Sequence, residues 1–193
     1  MHTLLLQVFQ QLEQENVDYC LLRGYEELDD LAGGANVDLL VREGQAGRLR
    51  AALGRLGFVQ LLSWGRAPHQ FFVAYDEPTD HWLKLDIVTD VSYGMPIPSI
   101  RTDLAAACLA RRRRRGPTFI PAPEDELVAL LLHCMLDKGA FAPNRRERLQ
   151  ALCHEVADEA YLTKQLQLYW SPSMAWPRLK ALIAGAAWNA RYM

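Results

Sequence analysis

Two short apolar runs constrain this chain more than any other feature: Asn36-Val37-Asp38-Leu39-Leu40-Val41 and Leu83-Lys84-Leu85-Asp86-Ile87-Val88. Successive side chains of a strand point to opposite faces. Asn36 and Asp38 therefore share one face. Lys84 and Asp86 share a face as well, opposite Leu83, Leu85 and Ile87. If the runs are neighbours in one sheet, Asp38 and Asp86 converge beside each other while the aliphatic residues build a core behind them. Such a pair of hard oxygen ligands suits a divalent cation.

The surrounding pattern is that of an α/β (α+β) chain. Leu4, Leu5, Val8, Phe9 and Leu12 recur at helical spacing and predict an opening amphipathic helix. Asn16-Val17-Asp18 breaks it, and Tyr19-Cys20-Leu21-Leu22 reads as a buried strand ending at Arg23-Gly24. An acidic loop closed by Gly33-Gly34 leads into the run at 36–41. Gln45 to Leu56 reads as a helix stopped by Gly57 in a left-handed cap. Strands are predicted at Phe58–Leu62, Gln70–Tyr75 and Trp82–Val88. After Tyr93-Gly94-Met95-Pro96 the strand pattern gives way to helices: Thr102–Arg112, Pro123–Leu136, Arg145–Ala160, Thr163–Tyr169 and Pro177–Ala190, punctuated by prolines. The expected organisation is a mixed-sheet α/β core over 1–98 and a C-terminal helical lobe over 99–193.

Half of the 193 residues are hydrophobic, enough for a packed core. No apolar stretch approaches the roughly 20 residues of a membrane span, so no membrane association is expected. The start of the chain has no basic region or cleavage site of a secretory leader. Cys20, Cys108, Cys134 and Cys153 are scattered, which suits buried thiols in a reducing cytoplasm. Charge is uneven: residues 1–100 carry 7 Lys and Arg against 14 Asp and Glu, the remainder 14 against 9. An acidic half beside a basic half fits a metal site on one and an anion-facing surface on the other, or two lobes that attract each other.

In order and spacing, Leu21-Leu22-Arg23-Gly24, then Asn36 to Val41, then Lys84-Leu85-Asp86-Ile87-Val88, resembles the nucleotidyltransferase superfamily of the DNA polymerase β type. The resemblance spans about residues 15–95, and the helical remainder is similar to the variable C-terminal helices of such enzymes. It implies a nucleotidyltransferase-like fold, with Gly24 in the phosphate-facing turn and Asn36 and Asp38 as the metal pair. Asp86 then ligates metal or takes the proton from the attacking hydroxyl. Mg²⁺ is the implied cofactor and an NTP, ATP first among them, the implied substrate. Two Mg²⁺ ions about 3.5–4 Å apart can stabilise the entering and leaving oxygens of an in-line transfer. Arg23, Lys84 and Lys138 are candidates for phosphate contact.

Two positions depart from the family pattern. Tyr25 stands where a serine follows the glycine, and Asn36 stands where the first carboxylate belongs. An amide oxygen ligates a cation without offsetting its charge, and losing one such charge removes about several kcal/mol of electrostatic stabilisation in a reaction that depends on it.

Other clusters admit plainer readings. Arg111-Arg112-Arg113-Arg114-Arg115 reads as a solvated helix end or a phosphate-binding run. Asp137-Lys138 ends an apolar helix, and Arg145, Arg146 and Arg148 follow as candidates for lining a cleft between core and lobe. His69, His81, His133 and His154 lack metal-ligand spacing and read as core or surface histidines. The segment Ala184–Met193, with Trp188 and Tyr192, could pack on a partner. The leading expectation is Mg²⁺-dependent transfer of a nucleoside monophosphate to a hydroxyl or phosphate acceptor: a small molecule, a protein or an RNA end. The alternatives are a non-catalytic nucleotide- or protein-binding member of the fold and an RNA-directed enzyme of toxin–antitoxin type. A homo-oligomer is left open.

Overall fold

The computed structural model describes residues 2–25, 28, 36–62, 64, 68–94, 99–171 and 175–185. The acidic loop with Gly33-Gly34, the predicted helical residues beyond 185 and the closing Trp188 and Tyr192 lie outside the described residues. In chain order the elements are α1 (Thr3–Gln14), β1 (Tyr19–Arg23), β2 (Asn36–Val41), α2 (Ala46–Arg55), β3 (Val59–Gln60), β4 (Gln70–Asp76), β5 (His81–Val88), β6 (Ser92–Tyr93) and β7 (Ile100–Arg101). There follow α3 (Leu104–Ala110), β8 (Arg113–Arg115), β9 (Thr118–Ile120), α4 (Pro123–Leu132), α5 (Pro143–Glu155), α6 (Glu159–Tyr169) and α7 (Trp176–Ala184). The chain divides into two compact units, Met1–Ser92 with Arg101–Pro121, and Tyr93–Ile100 with Ala122–Met193.

The first unit is built on a mixed sheet in the order β1-β2-β5-β4-β3. β2 and β5 run parallel, while β1–β2, β4–β5 and β3–β4 are antiparallel. A parallel pair needs a long crossover, and α2, β3 and β4 supply it between β2 and β5. Leu5, Val8, Phe9 and Leu12 of α1 are fully buried, as their spacing predicts. They join Leu39, Leu85 and the α2 residue Leu53 in one core cluster. Gly57, at φ +81°, ends α2 in the left-handed conformation that favours glycine. Residues of the other parity on β2 and β5 (Asp38, Leu40, Lys84, Asp86) therefore lie on the sheet face away from that cluster.

The arginine run departs from the helical expectation. α3 stops at Ala110, and Arg113–Arg115 pair with Thr118–Ile120 in an antiparallel hairpin that turns at Gly116, φ +57°. Alternation along this ribbon gives the arginines separate partners in the same unit. Arg112 donates to Asp18 at 2.7 Å and Arg114 to Glu13 at 3.0 Å. Both guanidinium groups sit 5.2 Å from the Phe119 ring, and that of Arg115 lies 4.4 Å from the Tyr25 ring. A continued helix would scatter these charges around its circumference. The run fastens the hairpin to α1 and β1.

In the second unit α4 buries Leu127, Val128 and Leu131, and its last turn widens into a π-helix over His133–Lys138. Glu124, Asp125 and Glu126 face neighbouring helices rather than solvent. Glu124 accepts from the backbone N–H groups of Ala157 and Asp158, Asp125 from the Tyr161 hydroxyl, and Glu126 from Arg148 through both oxygens. Those bonds, with Asp158 capping Tyr161 N–H, place the break between α5 and α6 at Val156–Asp158, earlier than the sequence pattern suggests. Arg148 also bonds Glu155, and Arg146 donates to the Phe141 carbonyl, so both are structural contacts within this unit. All four cysteines are buried thiols. Among the described residues no helix is long and apolar enough to cross a membrane.

Asp18 ties β1 to its surroundings through Arg42 at 2.6 Å as well as Arg112. The hydrogen bond from Arg42, followed by the charge of Arg112, holds its carboxyl below the usual value against the opposing effect of burial. A lowered folded-state pKa contributes stability above the unfolded value and loses it as pH falls through the folded one. Asp18→Asn is therefore less stable than wild type at neutral pH. In thermal melts the gap narrows as pH drops below about 4; a gap that stays constant on acidification contradicts the assignment.

Candidate functional site

The parallel register of β2 and β5 sets Asp38 opposite Asp86 and Asn36 opposite Lys84. Neighbouring strands lie about 4.8 Å apart, so the two carboxylates leave the same face of the sheet side by side. β1 approaches from the other edge of β2 with a register shift between Leu21 and Arg23. This bulge keeps Leu21 in the core opposite Leu39 and turns Arg23 toward Asp38. Arg23 Nε donates to Asp38 Oδ2 at 2.5 Å. Gly24 follows at φ +76°, with nothing within 4 Å of where a Cβ would stand. Its backbone turns in the left-handed region beside open space, which suits close approach of an anion to main-chain N–H groups.

Asp86 is buried, with its residue 8% exposed. His69 Nδ1 lies 2.8 Å and 3.1 Å from its two carboxylate oxygens. Phe71 is the cross-strand partner of Asp86, and His69, two residues earlier on the same face, is the diagonal neighbour. The hydrogen bond to Asp86 raises the His69 pKa, and the charges of Asp86 and Asp38 add to it, against burial and the Arg23 charge. Lys84 shares the face of Asp86. Its ammonium sits 4.7 Å over the Phe71 ring and 5.9 Å from the Trp64 ring, a cation–π arrangement.

Four of the predicted residues, Arg23, Asp38, Lys84 and Asp86, thus meet on one sheet face, with Gly24 at its edge. Asn36 occupies its register position on the same strand as Asp38. Lys138 belongs to the second unit, where it closes the π-helical turn before Gly139 at φ +60°. There Asp137 accepts from the Gly94 N–H at 2.7 Å and pairs with His133 at 2.9 Å. His69 is the residue that sequence spacing does not single out. Its approach to Asp86, 17 residues further along the chain, depends on the β4–β5 register, and a lone histidine ahead of a strand gives no sign of that.

Among the described residues no three His, Cys, Asp or Glu gather into a metal-holding group. Two carboxylates in register nevertheless fit one Mg²⁺, which is commonly bound by one or two carboxylates together with substrate phosphates rather than by an all-protein cage. Arg23 and His69 each hydrogen-bond one of the two carboxylates, contacts that an arriving cation would have to displace or share.

The sequence matches no known family profile and no curated protein. Its fold is similar to the solution structure of the antibiotic-resistance factor ANT(2'')-Ia, with a TM-score of 0.51, 14% identity and 96% of each chain covered. A crystal structure described as that of a candidate nucleotidyltransferase from H. pylori aligns with a TM-score of 0.40 and 13% identity over 98% of this chain and 91% of that one. The mixed α/β fold is nucleotidyltransferase-like.

The Arg23–Asp38 contact predicts a measurable coupling. Urea unfolding of Arg23→Met, Asp38→Asn and the double variant should give a coupling energy of about 1–2 kcal/mol, above the level of an exposed pair, because both side chains are largely covered. Additive effects of the two substitutions contradict the pairing.

Proposed function

We propose that this chain transfers a nucleoside monophosphate from an NTP, ATP in the first instance, to a hydroxyl-bearing acceptor. One observation carries the reading: the paired register of Asp38 and Asp86, beside the left-handed turn at Gly24. In this reading the Gly24 turn receives the triphosphate, and Arg23 places a positive charge next to it. Asp38 and Asp86 would hold Mg²⁺, which when bound would neutralise charge developing on the phosphoryl oxygens. Asp86 would also accept the proton of the attacking hydroxyl. The hydroxyl oxygen bonds to the α-phosphorus as the α–β anhydride bond breaks, and its electron pair leaves on pyrophosphate. Asn36 supplies a neutral group at the first ligand position, so this chain works with two carboxylates. Buried thiols and the lack of a long apolar helix among the described residues are compatible with a cytoplasmic setting.

A second reading rests on a specific observation. Asp38 and Asp86 already have protein partners in Arg23 and His69, and those pairs could serve a scaffold that binds a nucleotide without transferring it. RNA as the acceptor draws less support, since Arg112, Arg114 and Arg115 have contacts within their own unit.

The test is incubation with each α-labelled NTP, Mg²⁺ and a small-molecule and macromolecular extract. Transfer should require Mg²⁺, stop on chelation, and fall by about 10²-fold or more in Asp38→Asn and in Asp86→Asn. Asn36→Asp, which restores a charge opposite Lys84, should raise it. Label that never leaves the NTP, alongside nucleotide binding that ignores Mg²⁺, favours the non-catalytic reading.

A further inference from the structure

Arg23 is held differently from an arginine that builds the fold. Arg148 bonds Glu126 and Glu155 through all three of its nitrogens, and its side chain is 13% exposed. Arg23 bonds Asp38 through Nε alone, and its side chain is 26% exposed. Among the described residues neither of its terminal NH2 groups has an acceptor. We infer that Arg23 is a latch on the metal site: it closes on Asp38, and a triphosphate at the Gly24 turn draws it off, so that metal entry depends on the nucleotide. The inference deepens the nucleotidyl-transfer reading and rests on it.

The closed position excludes a second cation. The bulge in β1 between Leu21 and Arg23 aims the side chain across to β2. The Asp38 side chain is only 14% exposed, so water and salt screen the contact weakly. Mg²⁺ binds a carboxylate oxygen at about 2.1 Å, and Asp38 Oδ2 already lies 2.5 Å from Arg23 Nε. A divalent ion and a guanidinium on one covered carboxylate repel each other. A guanidinium keeps its charge under all ordinary conditions, so movement is what relieves the conflict.

The open position is one residue away. Arg23 immediately precedes Gly24, whose backbone turns at φ +76° with nothing within 4 Å of where a Cβ would stand. A phosphate seated on that turn lies within reach of a side chain rooted one residue earlier. A triphosphate carries several negative charges against the one on Asp38, and a guanidinium pairs with phosphate through two parallel N–H bonds. The terminal NH2 groups can engage the phosphate before Nε releases Asp38. Linkage makes the effect reciprocal: whatever the nucleotide adds to metal affinity, the metal adds to nucleotide affinity.

NMR of the arginine side-chain Nε–H groups follows the latch in the wild-type chain, with Arg23→Met identifying the signal. With a chelator present, ATP and inorganic tripolyphosphate should each move the Arg23 signal, and adenosine should not. Electron paramagnetic resonance of Mn²⁺ without nucleotide tests the closed position. Arg23→Met and Arg23→Gln should each bind the ion about tenfold more tightly than wild type. Adding Asp38→Asn to the Arg23→Met chain should remove that gain. Equal Mn²⁺ binding in wild type and both variants overturns the latch, as does an Arg23 signal that stays in place while other resonances report ATP binding. The outcome separates from that of the parent reading. Label transfer beside an unmoved Arg23 removes the latch alone. A moving Arg23 without label transfer keeps the latch in a chain that binds nucleotide only, and failure to bind ATP or tripolyphosphate overturns both.

Discussion

The parallel pairing of β2 with β5 is the constraint from which the rest of the first unit follows. Side-chain period in a strand is two, so slipping either strand by one residue would drive its aspartate into the aliphatic core. Leu39, Leu85 and Ile87 in the core cluster thus fix the register that sets Asp38 and Asp86 abreast. The energy that holds the acidic pair together is largely apolar burial on the opposite face.

Two carboxylates side by side and mostly covered repel each other, and the structure sets one basic side chain against each. The β1 bulge delivers Arg23 to Asp38, and the β4–β5 register delivers His69 to Asp86. The raised pKa of His69 follows from that placement. In the proposed reading a cation would meet two carboxylates that already have hydrogen-bond partners, so its hold would depend on the phosphates it brings.

How much of this was legible in the letters depends on the distance over which each signal acts. Alternation in 36–41 and 83–88 marks two half-buried strands and the side their acids take, because both are local properties. The Gly57 stop and the α1 stripe are local for the same reason. The arginine run misleads because a Gly116 turn and partners about a hundred residues away, Glu13 and Asp18, decide its conformation. Helix propensity does not reach that far. His69 is hidden for a related cause: its place beside Asp86 needs the antiparallel register of β4, which sequence pattern leaves open. The α5–α6 break depends on Glu124, more than thirty residues upstream of the N–H groups it accepts from.

Electron paramagnetic resonance of Mn²⁺ in place of Mg²⁺ tests the joint grip of positions 38 and 86 most directly. The account predicts that wild type immobilises Mn²⁺ only when ATP is present, and that Asp38→Asn or Asp86→Asn each leaves the ion free in solution. Retention of the bound signal in both single variants, or binding at full strength without nucleotide, contradicts it.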